Sequence, residues 1–202
     1  MTRTVAVDPR APGREALDEA AVALKRGGMV AFPTESFYGL GVDALNSDAV
    51  GRLFAVKGRP ESKPVLVLIG SVAMAEALAP EISAGARELM ARHWPGPLTL
   101  VLRAAPHVPS QLTAGTGTIG VRIPGHAVAL GLVSAAGLPV TASSANPSAH
   151  PPPITAESVR EYFGDSLDLI LDGGPTAGGP ASTVADCTVW PPRILRRGLV
   201  RL

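Results

Sequence analysis

The sequence predicts an α/β fold built on a mixed, twisted β-sheet flanked by helices. Two observations point to it. Stretches with apolar residues at helical spacing alternate with short apolar runs for most of the length, and strand-like segments alone finish the chain. A purely parallel sheet would keep the alternation to the end. The 202 residues are 46% apolar, enough to bury one core, so residues 1–202 are expected to form a single domain. The proline-rich stretch SANPSAHPPP (144–153) is too short for a domain linker, and there is no internal repeat.

From Arg14 to Arg26 the apolar Leu17, Ala20, Ala21 and Leu24 share one helical face, and Gly27-Gly28 supplies a stop. MVAF (29–32) reads as a buried strand, and FPTESFYGLG (32–41) as its end with a Gly-Leu-Gly turn. Asn46 or Ser47 can cap a helix whose Val50, Leu53 and Phe54 point inward until Gly58 and Pro60 end it. VLVLIG (65–70) is a second buried strand, followed by helices near 72–78 and 84–93, with Ser83 capping the latter. Trp94-Pro95-Gly96-Pro97 breaks that helix, because proline lacks a donor and restricts the residue before it. Strands follow at 98–103 and 118–123, a helix near 127–136, a strand at PVTAS (139–143), a helix near 156–163 and a strand at 167–171. STVADCTV and RILRRGLV read as two final strands.

Several classes are excluded. Lys plus Arg number 18 against 17 acids, so a net charge of +1 gives no whole-molecule field for nucleic acid or an anionic membrane. Any anion site must come from placement. Cys187 is the only cysteine, which rules out an intramolecular disulfide and a cysteine metal cluster and suits a reducing compartment; it is expected to be a buried apolar residue. MTRTVAVDPRAPG lacks the apolar stretch of a signal peptide, and no run is long enough to span a bilayer, so a cytoplasmic chain without membrane contact is expected.

GTGTIG (115–120) matches the dinucleotide fingerprint by letter, but it runs into a strand rather than a helix, so a turn is expected there. Neither a P-loop nor a G-x-S-x-G motif occurs. His93, His107, His126 and His150 lack metal-ligand spacing, so no protein metal site is expected.

The stronger signal is basic residues at element ends: Lys57, Arg59 and Lys63 around one loop, Arg122 in VRIP, Arg196 and Arg197 in ILRRG. Arg122 and Arg196 lie in otherwise apolar strand segments, where an unpaired charge costs several kcal/mol, so each is expected to meet an acid or a bound anion. Hydroxyl and amide groups form a second set: Thr34, Ser36 and Tyr38, then Ser143, Ser144 and Asn146, then Ser182 and Thr183. Shared chemistry in several strand-end loops points to one polar crevice suited to phosphates and carboxylates.

PTESFYGLG, KGRP followed by KP, WPGPLT, VRIP, SSANPS, STV and ILRRG stand in this order from about Leu17 to Arg197. In order and spacing they resemble the YrdC-like family, the threonylcarbamoyl-AMP synthases. That resemblance implies a twisted sheet around a positively charged cavity. It also implies a nucleotidyltransferase that makes threonylcarbamoyl-AMP and pyrophosphate from L-threonine, bicarbonate and ATP, with Mg2+, for N6-threonylcarbamoyladenosine at position 37 of tRNA. A downstream threonylcarbamoyl transferase complex would be the partner, with direct RNA or tRNA contact left open.

By the family pattern Lys57, Arg59, Ser144 and Asn146 hold the ATP phosphates and carry catalysis. Lys63, Thr118 and Arg196 are further nucleotide contacts. Thr34, Arg122 and Ser182 hold threonine, with Arg122 forking onto its carboxylate, and Gly39 and Gly41 let the backbone turn closely around the ligand. Ser36 and Phe37 depart from the usual Thr and Val of PTETVYGLG, and Ala149 replaces the glycine of S-x-N-x-S-G. Longer members often have Asn where Lys63 stands and His where Leu68 stands, and carry an extra C-terminal domain that is not expected in these 202 residues.

Beside a purely structural or interaction protein, two other readings remain. One is a paralogue with another amino-acid or carbamoyl substrate, such as the hydrogenase-maturation proteins, whose acylphosphatase and zinc-finger segments are absent here. The other is a non-catalytic RNA-binding module, which the low net charge and 4% aromatic content oppose.

Overall fold

A computed structural model describes residues 1–202. In chain order the elements begin β1 (Arg3–Ala6), α1 (Arg14–Lys25), β2 (Val30–Pro33), β3 (Tyr38–Gly41), α2 (Ser47–Lys57) and β4 (Val67–Leu68). They continue α3 (Val72–Leu78), α4 (Ala84–His93), β5 (Leu98–Arg103), α5 (Ser110–Thr113), β6 (Thr118–Arg122) and α6 (Ala127–Ala136). The chain finishes β7 (Val140–Thr141), β8 (Ser143–Ser144), α7 (Ala156–Phe163), β9 (Leu169–Asp172), β10 (Thr183–Asp186) and β11 (Arg193–Arg196).

The helices obey their local signals. Asn46 Oδ1 accepts from the Ala49 N–H, and Ser83 Oγ from the Ala86 N–H, each satisfying a donor that a helix start leaves free. Gly58, at φ +56°, closes α2 in the left-handed conformation that a side chain would resist. GTGTIG is a turn into β6, with Gly115 and Gly117 at positive φ, so the strand reading stands against the dinucleotide one.

The sheet departs from expectation in number: there are two. One has the order β1-β9-β2-β3-β8 and the other β11-β10-β5-β6-β4-β7, both with parallel and antiparallel pairs. PVTAS is the place where the chain changes sheet. Thr141, in β7, belongs with β4, whereas Ser143 pairs with Leu40 of β3, and Ala142 is the single residue between. VLVLIG contributes only Val67 and Leu68 to a ladder. YGLG is not a turn but β3, the antiparallel partner of β2. Its Gly41 answers to packing rather than to a ligand, because a Cβ there would lie 2.5 Å from Val140 Cγ1 and 2.8 Å from Phe32 Cε1.

Two apolar clusters hold these layers. The smaller packs α1 against α6, Leu17, Ala20 and Leu24 meeting Val128, Leu132 and Val133 over Phe32 and Leu68. Gly131 allows that approach, since a Cβ would stand 2.8 Å from Leu17 Cδ1. The larger cluster joins α2, α4 and α7 to both sheets through Tyr38, Leu53, Leu100 and Ile170. Each such leucine withdrawn from water contributes roughly 1.5 to 3 kcal/mol, so the facing strand ends are held firmly enough to present a preformed crevice.

Candidate active site

The crevice opens between the two sheets. A cavity of about 210 Å³ is lined by Thr34, Ser36 and Tyr38 from the β2–β3 hairpin, by Thr99 and Arg122 from β5 and β6, and by Ser143, Ser144, Ser182 and Arg196. A second groove of about 270 Å³ adjoins it, sharing Leu66, Ala142, Ser143, Ser144 and Arg196 and adding Arg59 and Leu195. The sheet change at Ala142 is what brings the two serines to the shared wall.

Arg122 ends β6 and is 9% exposed. The acid it was expected to meet is Glu35, at 3.3 Å. Burial pulls its pKa down and Glu35 works against that; guanidinium stays protonated through such shifts. Glu35 also accepts the Gly125 N–H at 2.8 Å, so a residue of one sheet's hairpin grips the strand end of the other.

Arg196 differs from expectation. β11 is an exposed edge strand rather than an apolar interior one, and Arg196 reaches inward from it. Its Nε donates to the Ser182 carbonyl at 3.0 Å and an Nη to Ser182 Oγ at 2.9 Å. Burial, then the charge of Arg122, pull its pKa down. Two cations thus share one small cavity, and no acid is among its lining residues. That chemistry suits an anion. Arg59 donates to the carbonyls of Lys63 and Pro64, at 3.1 and 2.7 Å, which holds its guanidinium at the second groove.

Lys57 sits differently from a free phosphate ligand. It is 3% exposed at the end of α2, and its ammonium donates to the backbone carbonyls of Ser144 and Asn146. The Lys57 carbonyl in turn accepts the Ser148 N–H at 2.7 Å. Burial, and secondarily Arg59, pull its pKa down to about 8, while the two carbonyls favour the charged form. Asn146 is buried as well, its Nδ2 donating to the carbonyls of Pro147 and His150 at 2.9 and 2.7 Å. Its Oδ1 has no partner, a polar atom held behind the loop at a cost unless a ligand or water meets it.

The structure therefore brings Thr34, Arg122, Ser144, Ser182 and Arg196 into one cavity and Arg59 into its neighbour. Lys57 and Asn146 lie under the loop that forms the shared wall. Lys63 is exposed and reaches the site only through the carbonyl it offers Arg59. Thr118 starts β6, four residues and roughly 13 Å of strand before Arg122, and bonds to Thr116 at 2.9 Å; it lines neither cavity. Leu68, where longer relatives carry His, is 1% exposed and closes the cavity with an apolar wall.

Sequence reasoning missed Glu35 and Thr99. Glu35 could have been found as the acid that a buried Arg122 demands. Thr99 is the one hydroxyl in the apolar run LTLVLR; it is fully buried, with Oγ1 3.0 Å from Ser182 Oγ.

Two mixed sheets enclosing a small cleft furnished with arginines and hydroxyls define an α/β protein whose cleft has the chemistry to suit small anions. The family model Sua5_yciO_yrdC, described as telomere recombination, matches residues 22–198, and the chain belongs to this family. It is 46% identical over 190 residues to a Pyrococcus abyssi threonylcarbamoyl-AMP synthase, covering 92% of this chain and 56% of that one. To the Bacillus subtilis threonylcarbamoyl-AMP synthase it is 43% identical over 181 residues, 89% of this chain and 52% of that one. The crystal structure of P. abyssi Sua5 complexed with L-threonine superposes with a TM-score of 0.93 at 44% identity, over 98% of this chain and 58% of that one. The chain spans about half the length of these relatives.

Proposed function

We propose that this chain is a threonylcarbamoyl-AMP synthase, joining L-threonine, bicarbonate and ATP into threonylcarbamoyl-AMP and pyrophosphate. The observation that carries the reading is Arg122: a buried guanidinium at a cavity of about 210 Å³ among Thr34, Ser144 and Ser182. That volume lies below the range of roughly 300 to 1,000 Å³ that takes drug-sized ligands and suits an amino acid. The likeness to a Sua5 that was crystallised with L-threonine supports it.

Arg122 receives the threonine carboxylate, and Thr34 and Ser182 line the amino-acid end. The triphosphate lies along the adjoining groove, where Arg59, Ser144 and Arg196 meet it. Lys57 and Asn146 shape and charge the loop from beneath, and Lys63 and Thr118 lie at the periphery of the nucleotide.

The threonine amine loses a proton and bonds to the carbon of carbon dioxide drawn from bicarbonate. An oxygen of the resulting carbamate then attacks the α-phosphorus as the bond to pyrophosphate breaks, and one water is released overall. No enzyme nucleophile is needed. ATP, bicarbonate and the threonine carboxylate are anionic, so catalysis rests on positioning and on cations facing the charge that develops at phosphorus.

No cluster of three His, Cys, Asp or Glu residues could hold a metal ion, so Mg2+ would be brought by the triphosphate and would supply charge neutralisation there. The product is a reactive mixed anhydride. It calls for a downstream transferase that delivers the threonylcarbamoyl group to tRNA in the cytoplasm. No helix is long and apolar enough to cross a membrane.

The test is pyrophosphate release from ATP, Mg2+ and bicarbonate with each amino acid in turn. Release that needs both threonine and bicarbonate supports the synthase. Release with another amino acid only, or with none, overturns it.

A further inference from the structure

Glu35 is the one carboxylate of the crevice, and it stands behind the lining rather than in it. Its two oxygens have separate tasks. Oε1 accepts the Gly125 N–H at 2.8 Å, and Oε2, buried and without a hydrogen-bond partner, faces an Arg122 Nη at 3.3 Å. Glu35 sits in the β2–β3 hairpin of the five-stranded sheet, whereas Arg122 and Gly125 follow from β6 in the six-stranded one. The guanidinium has no other anionic partner within ion-pair distance.

We infer that Glu35 is a positioning residue that clamps the mouth of the crevice across the two sheets and aims the Arg122 guanidinium at an incoming carboxylate. A guanidinium is a planar fork, so its value to a carboxylate depends on orientation as well as on charge. Glu35 anchors one edge of that fork, and the remaining donors are left for a ligand. Thr34 sits one residue before Glu35, so the clamp also fixes the hydroxyl side of the cavity.

The inference rests on the synthase reading only for the identity of the ligand. Glu35→Gln keeps the shape but cannot satisfy both sites: whichever way the amide turns, its NH2 faces either the Gly125 N–H or the Arg122 Nη, donor against donor. Three readouts decide it: the KM for L-threonine against that for ATP, kcat, and the solvent exchange of the Arg122 Nε–H seen by NMR of the ligand-free protein.

The expected result for Glu35→Gln is a KM for L-threonine raised on the order of tenfold or more, with KM for ATP within about twofold and faster Arg122 Nε–H exchange. Glu35→Asp, which keeps the charge but is too short for both contacts, is expected to fall between. An unchanged threonine KM with unchanged Nε–H exchange overturns the inference, as does an equal loss for both substrates. If the wild-type protein takes no threonine, the synthase reading fails, yet the exchange measurement still decides for or against the clamp. Should Glu35→Gln not fold, the same two comparisons are made on Glu35→Asp.

Discussion

Replacing Lys57 with methionine separates what its charge does from what its bulk does. Methionine keeps an unbranched apolar stem in the buried space and removes the ammonium. Two backbone carbonyls, of Ser144 and Asn146, then lose their donor, at about 1 to 3 kcal/mol each. Against this, the burial that depresses the Lys57 pKa from 10.5 to about 8 no longer acts, a relief of about 3 kcal/mol. The two largely offset, so the folded state is expected to move by no more than about 3 kcal/mol in urea unfolding. Activity is a different matter. The carbonyls belong to the loop that carries Ser144 into both cavities, and a displacement near 1 Å there is expected to cost on the order of a hundredfold in turnover. The assay is steady-state pyrophosphate release at saturating ATP and threonine, alongside urea unfolding. A variant that turns over within about threefold of wild type would refute the idea that this ammonium holds the phosphate-side loop.

Arg122→Lys keeps the charge and loses the fork, so L-threonine binding by calorimetry is expected to weaken by about 1.5 to 3 kcal/mol, on the order of ten- to a hundredfold in Kd; an unchanged Kd would remove Arg122 from the carboxylate site. Lys57 also predicts a pH dependence. Its folded pKa, about 8, lies below its ordinary 10.5, so between those values the unfolded chain binds more protons and this group's contribution to stability rises with pH, and is flat below about 8. Urea unfolding at about pH 7 and about pH 10 is expected to show wild type gaining up to about 3 kcal/mol relative to Lys57→Met, and a gap independent of pH would contradict it. Gly41→Ala places a Cβ 2.5 Å from Val140 Cγ1, so thermal unfolding is expected to reveal a loss of roughly 1 to 3 kcal/mol from overpacking. A variant as stable as wild type would return Gly41 to the ligand role that the sequence suggested.

Much of this protein is written locally. The spans of α2, α3, α4, α6 and α7 follow from apolar spacing and from caps beside the helix they start, as with Asn46 at α2 and Ser83 at α4. The motif order made the family legible, and the need of a buried arginine for an anion pointed to Arg122 before any coordinates did. Short strands are less local. VLVLIG, YGLG and PVTAS are each apolar enough for several fates, and which residues enter a ladder depends on partners far away in the chain.

The number of sheets, the switch at Ala142 and the placing of β11 on an exposed edge were set by packing, not by periodicity. The same holds for the site. Residue type marked Lys57 and Asn146, and the family pattern Thr118, as ligands; in the structure the ammonium of Lys57 meets two carbonyls and Thr118 stands at the far end of its strand from Arg122. Glu35 acquired its role only because two sheets bring position 35 within 3.3 Å of position 122. Sequence by itself determined which side chains could bind anions, since that is a property of their chemistry; tertiary structure decided which of them face the same few ångströms of space, since that depends on how the sheets close.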